Sequence, residues 1–163
     1  MNAPVWLRAA IFIAIVPGAV AGWLPWYIAG RPSNVWEASA GAWRLGGVLT
    51  LVGWFFLLWC ARDFAVRGRG TPGPYDPPRR LVTNGLYEYV RNPMYVAVLT
   101  AILGQSLWYR STSLVWYAAI FAASAHIFVV LYEEPKLTEL FGDAYVQYCR
   151  RVHRWIPRRK QSA

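Results

Sequence analysis

Three groups of side chains in this sequence have the types and spacing to hold a small charged ligand. Asn92 and Pro93 open an apolar run. A helix starting there leaves backbone N–H groups unpaired and turns the positive end of its dipole outward, which suits a carboxylate. Glu133 and Glu134 close a second apolar run, where they can neutralise an ammonium. Tyr87, Tyr95, Tyr145 and Tyr148 offer faces to an aromatic ring or a soft cation. Each group also has a plainer reading. Asn-Pro is a common helix start, a glutamate pair can simply end a helix in solvent, and tyrosines often form an interfacial belt. His126, in mid-span with no acidic neighbour at helical spacing, reads as a packing or lumen-facing side chain before it reads as a base. Gln105 and Ser106 read as interhelical hydrogen-bonding groups.

The elements that must position these groups are apolar helices. Of 163 residues, 56% are hydrophobic and only 15% charged, against roughly 25% charged in soluble domains. A bilayer core takes about 20 apolar residues per helix. Four stretches approach that length: 5–24 with Pro17 as a kink, 42–64, 93–109 and 114–132. Pro25, Gly30 and Pro32 should break the chain after the first. The third, short for a span, begins with Asn92 as cap and Pro93 as first helical residue, and the turn at Arg110–Ser113 should pair it with the fourth as a hairpin. The stretch from Arg67 to Arg91, dense in Gly, Pro and charge, reads as a long ordered loop. After Glu133 the spacing of Leu137, Leu140, Phe141, Tyr145, Tyr148, Val152 and Trp155 marks amphipathic helix over 136–154. Gly142 should end one such helix and Asp143 cap the next. One all-α membrane domain, 1–163, is expected, with no internal repeat.

Charge gives an orientation. Arg62, Arg67, Arg69, Arg79, Arg80 and Arg91 border or fill the long loop, and the segment after Glu133 carries seven Lys and Arg. The positive-inside rule puts both on the cytoplasmic side, with both termini there, in what reads as a bacterial inner membrane. The net charge of +9 lies beside apolar spans, so anionic headgroups are the expected partner and nucleic acid is not. Cys60 and Cys149 give neither a disulfide framework nor metal-ligand spacing, and no metal is expected. Arg8 precedes a full-length span without a small-residue cleavage site, so no signal peptide is expected.

With those elements in place, the residues resemble a known family. Leu81-Val82-Thr83-Asn84-Gly85-Leu86-Tyr87, Arg91-Asn92-Pro93-Met94-Tyr95 and then Glu133-Glu134, Leu137, Phe141-Gly142, Tyr145, Tyr148, Val152 and Ile156-Pro157 resemble the signature of the isoprenylcysteine carboxyl methyltransferases. The phospholipid methyltransferases share it more loosely. The resemblance runs from Leu81 to Pro157; the first two spans match only as generic membrane helices.

The resemblance implies S-adenosylmethionine bound at the cytoplasmic face, S-adenosylhomocysteine as product, and a site built from the 65–92 loop and the C-terminal helices. Its cofactor contacts carry over to Leu81, Val82, Tyr87, Asn92, Pro93, Met94, Tyr95 and Glu133, with Arg80 a poorer match. Glu134, Tyr145 and Tyr148 join them on chemical grounds. Asn92, Glu133 and Glu134 would position the donor, and methyl transfer as an in-line displacement needs alignment and exclusion of water more than an acid–base pair. Two departures bear on the acceptor. The eukaryotic prenylcysteine enzymes place an arginine where Val129 stands and a histidine where Asn92 stands. A lipid or other lipophilic acceptor entering between helices is therefore expected. Carboxyl O-methylation is the first reading. Aminophospholipid N-methylation is the alternative, with a tyrosine or His126 as proton route, and a non-catalytic scaffold or transport subunit is the reading outside enzymes.

Overall fold

The computed structural model describes residues 5–30, 41–68 and 80–157. The connection at 31–40, most of the Gly- and Pro-rich stretch (69–79) and the end of the basic C-terminal segment (158–163) lie outside those residues. The protein is an all-α integral membrane protein. Its helices are α1 (Val5–Gly18), α2 (Leu24–Ala29), α3 (Ala42–Asp63), α4 (Pro93–Trp108), α5 (Thr112–Phe128), α6 (Glu134–Phe141) and α7 (Asp143–Arg151). Three continuous helical stretches, Ala10–Ala29, Ala42–Val66 and Thr112–Phe141, are long and apolar enough to cross a membrane. Pro93–Trp108 is apolar but has 16 residues, about 24 Å of helix against a hydrocarbon core of about 30 Å.

Three boundaries differ from the sequence expectation: the amphipathic helix expected to 154 ends at Arg151, where Val152 turns extended, and two spans run on past their expected ends. The first helix does not stop at Pro25; a π turn, Ala19–Trp23, joins α1 to α2 and the chain stays helical to Ala29. In that turn the Leu24 N–H reaches back to the Ala19 carbonyl, and Pro25 has no N–H to offer. The carbonyls of Val20 and Ala21 therefore lose their usual partners. Neighbouring helices supply them: the Tyr117 hydroxyl donates to Val20 at 2.8 Å and the Gln105 side chain to Ala21 at 2.6 Å. Gln105 is the interhelical group that sequence suggested, whereas Ser106 donates to Leu103 within its own helix. The fourth span likewise continues past Glu133: a second π turn, Val129–Glu133, runs straight into α6. Pro135 follows this π turn as Pro25 follows the first one, and its missing N–H leaves a carbonyl of the turn without its usual helical partner.

α4 and α5 pack as the expected hairpin, but α4 lies closest to α3. Gly46 and Gly53 of α3 face Gly104, Ala97 and Ala101 of α4, and a Cβ built on Gly53 would fall 2.6 Å from the Ala101 nitrogen and 2.7 Å from the Ala97 oxygen. Small residues let helix backbones approach where lipid supplies no hydrophobic drive. Replacing Gly53 by Val is expected to cost about 1–3 kcal/mol through overpacking and to lower the thermal midpoint in detergent. Gly41→Ala, at a position with open space around it, should stay within about 0.5 kcal/mol of the parent. Equal melting of the two variants would refute the close approach.

Candidate functional site

The segment from Arg80 to Asn92 and the chain after Gly142 fold onto each other at one end of the bundle. Gly85 adopts φ 69 and opens a 3-10 turn, Gly85–Glu88; glycine alone enters this left-handed region without strain. The turn sends Tyr87 inward, where it packs with Val82 and Cys60. Leu81 points the other way, into a cluster with Tyr145, Tyr148 and Val152. Gly142, at φ 53, ends α6 and itself stands at the start of α7. The cap expected of Asp143 is therefore absent; Asp143 is the first helical residue and adds only its charge to the first turn.

Backbone and side chains then lock the two segments together. The Arg91 N–H donates to the His153 carbonyl at 2.8 Å, within a parallel bridge between Val90 and His153. The Tyr148 hydroxyl donates to the Tyr87 carbonyl at 2.7 Å. Asn92 occupies the position before α4 but makes no side-chain cap; its amide donates to the Arg154 carbonyl at 3.2 Å. The expected N-cap is thus given up to hold the tail, which crosses beside the helix start and offers a carbonyl within reach. Burial pushes the hydroxyls of Tyr87, Tyr145 and Tyr148 well above the usual tyrosine range, so all three stay neutral.

Beneath this lock lies a cavity of about 430 Å³, within the roughly 300–1,000 Å³ usual for small-molecule sites. Leu81, Val82, Tyr87, Asn92, Met94, Tyr95, Glu133, Tyr145 and Tyr148 line it, with Arg91 and Lys136 adding positive charge. The far part of the wall is apolar and comes from the first, second, third and fourth spans, including Phe12, Val16, Val20, Phe64, Phe121 and Phe128. Arg80, Pro93 and Glu134 do not line it: Arg80 is exposed and Pro93 is buried in the start of α4.

The two glutamates part company. Glu133 faces the cavity and accepts from the Tyr95 hydroxyl at 2.9 Å. Glu134, turned about 100° further round the helix axis, accepts two bonds from Arg154 at 2.7 and 2.8 Å and lies 3.1 Å from Arg91. That bidentate fork is the strong geometry for a guanidinium and a carboxylate, and Glu134 lifts Arg154 above its ordinary range. One glutamate is open to a ligand and the other clasps the tail. The sequence motifs did not single out Arg154 or Lys136, which have no local signal; Trp155 was visible only through its amphipathic spacing, and Arg91 only as a loop charge and as part of the signature before Asn92. His126 is away from this cavity and accepts from the Trp155 indole N–H at 3.0 Å.

A family model described as phospholipid methyltransferase matches residues 42–144. Among curated proteins, methanethiol S-methyltransferase 1 of Bradyrhizobium diazoefficiens is 37% identical over 89 residues, 54% of this chain and 30% of that protein. The cobalt-zinc-cadmium resistance protein CzcN of Cupriavidus metallidurans is 32% identical over 114 residues, 70% of this chain and 47% of that protein. An uncharacterized Haemophilus influenzae protein is 36% identical over 64 residues, 39% of this chain and its own full length. The matches therefore span less than half of the first two relatives. No solved structure matches.

Proposed function

The chain belongs to the phospholipid methyltransferase family, and from that premise we propose that it is an S-adenosylmethionine-dependent membrane methyltransferase acting on a lipophilic acceptor. The observation that carries this reading is the cavity itself. It joins one available carboxylate, an aromatic floor and a helix start at its polar end to an apolar wall drawn from the spans.

These residues fit the donor. Glu133 would neutralise an ammonium, held in place by Tyr95. The first turn of α4 leaves the N–H groups of Met94 and Tyr95 free of intrahelical partners, and with Arg91 nearby they suit a carboxylate. Tyr87, Tyr145 and Tyr148 would face an adenine or a sulfonium. When bound, S-adenosylmethionine supplies an electrophilic methyl group. The helix after Gly142, which walls one side of the cavity with Tyr145 and Tyr148, limits the access of water, which would otherwise compete as nucleophile.

The acceptor atom follows from what the lining lacks. Glu133 is the only carboxylate among the described lining residues, and Tyr95 already engages it. A nucleophile that is anionic near neutral pH needs no base, so a carboxylate is favoured. A thiol is the second reading, favoured by the relative whose name is methanethiol S-methyltransferase. An amine would need a proton route, and His126 does not line this cavity. The basic residues around the loop and tail favour a cytoplasmic site in a bacterial inner membrane, with both termini on that side.

The test is incubation of membranes and purified protein with S-adenosylmethionine bearing an isotopically labelled methyl group, followed by mass spectrometry of the lipid extract. A labelled methyl on a lipophilic carboxylate or thiol is expected. Failure of the purified protein to bind S-adenosylhomocysteine by calorimetry would end this reading and favour a non-catalytic scaffold.

A further inference from the structure

Three π turns fall within the described residues, and each borders the cavity. Val20 of Ala19–Trp23, Phe64 of Phe64–Gly68, and Tyr132 and Glu133 of Val129–Glu133 all line it. Such turns hold under about 1% of residues in globular proteins and gather at functional sites. The first and third share one construction. In each, the residue before a proline donates its N–H five residues back: Leu24 to the Ala19 carbonyl ahead of Pro25, and Glu134 to the Val129 carbonyl ahead of Pro135. In an α-helix the ring of that proline would collide with the carbonyl four residues back, which belongs to Ala21 or Leu131. The first turn shows the collision resolved, since the Ala21 carbonyl accepts from the Gln105 side chain at 2.6 Å.

We propose that Pro135 is a positioning residue: it holds the third turn in its π form and so keeps Glu133, and not a neighbour, turned into the cavity. Its part in donor binding rests on the methyl transfer proposed above. Packing fixes the helix on both sides of this turn. Before it, α5 lies in the hairpin with α4. After it, Glu134 accepts from Arg154 at 2.7 and 2.8 Å and lies 3.1 Å from Arg91. A π turn takes up one residue more than an α turn, and each residue is worth about 100° of rotation. Continued as α-helix, the same chain would bring Tyr132 to the place of Glu133, and Glu133 to that of Glu134. The Tyr95 hydroxyl would then lose the carboxylate it meets at 2.9 Å. Leu131, in the middle of the turn, is 72% exposed and does not line the cavity, so the additional residue takes no room from it.

Deleting Leu131, with and without Pro135→Ala, tests this in the full chain in detergent. With Pro135 still imposing a π turn, the deletion leaves everything after the turn one residue short. Glu134 should swing to the place of Glu133 and leave Arg154. Nuclear Overhauser contacts from the Tyr95 ring should pass from the Glu133 side chain to that of Glu134. S-adenosylhomocysteine affinity, read by calorimetry, should fall at least about tenfold. Adding Pro135→Ala to the deletion lets the turn become α-helical. The contacts should then return to Glu133, and the affinity to within about twofold of the parent. A proline that served stability alone would give no such rescue. Deletion of Val130, in the same turn, serves if loss of Leu131 prevents folding. A deletion that leaves contacts and affinity unchanged overturns the proposal, because the turn then relaxes despite the proline. A loss that Pro135→Ala does not reverse overturns it as well. Contacts that shift and return in a protein without S-adenosylhomocysteine affinity would keep the role of Pro135 and refute the donor site instead.

Discussion

Glu133→Ala should lower S-adenosylhomocysteine affinity by about 30- to 150-fold, the equivalent of about 2–3 kcal/mol for a hydrogen bond to a charged group. The loss is expected to be severe because Glu133 is the only carboxylate among the described residues that face the cavity. Its geometry is also fixed in advance, since Tyr95 donates to it from α4 at 2.9 Å. Removing the carboxylate leaves the ligand's ammonium in a half-buried site with no counter-charge. Tyr95→Phe, which keeps the ring and removes the positioning bond, should cost less, about tenfold, for a bond worth about 1–1.5 kcal/mol. Calorimetry with S-adenosylhomocysteine reads both. Unchanged affinity in Glu133→Ala would mean that the cavity does not hold the donor in the way proposed.

Glu134→Ala should act by a different route, through release of the tail. Glu134 is 17% exposed and gathers two guanidinium groups, Arg154 at 32% and Arg91 at 12% exposure. Fully buried pairs lose about 3–5 kcal/mol when one partner is removed. The exposure of Arg154 brings the expectation down to about 2 kcal/mol. Hydrogen exchange across Asp143–Arg151 should rise, and S-adenosylhomocysteine affinity should fall with it, because that helix carries Tyr145 and Tyr148 into the cavity wall. Arg154→Ala is the decisive companion. If Glu134 serves as a clasp, the two single variants should resemble each other, and the double variant should be little worse than either. If Glu134 touched the donor directly, Arg154→Ala would leave affinity near normal and the two effects would add.

The two adjacent glutamates show where local sequence stops being informative. Both lie next to each other at the end of an apolar run and carry the same charge, so composition and spacing treat them alike. Only the arrival of Arg154, 20 residues later, and of Arg91, 43 residues earlier, separates them. Asn92 makes the same point. Read locally it is a helix cap, yet its amide goes to a carbonyl of the tail, an acceptor that no window around residue 92 contains. Pro25 is a third instance. Proline in a span reads as a break, but the chain passes through it because Gln105 and Tyr117, from other helices, satisfy the carbonyls left open.

The sequence alone determined the all-α membrane architecture and the family resemblance, and nine of its twelve candidate site residues line one cavity. Those properties rest on composition, on uninterrupted apolar length and on short ordered motifs, all of which are local in the chain. Tertiary structure alone decided which glutamate faces the cavity and how closely α3 and α4 approach across their glycines. Each of these depends on side chains far apart in sequence meeting in three dimensions, where an unpaired carbonyl, a buried charge or a missing Cβ is answered by whichever neighbour the packing delivers.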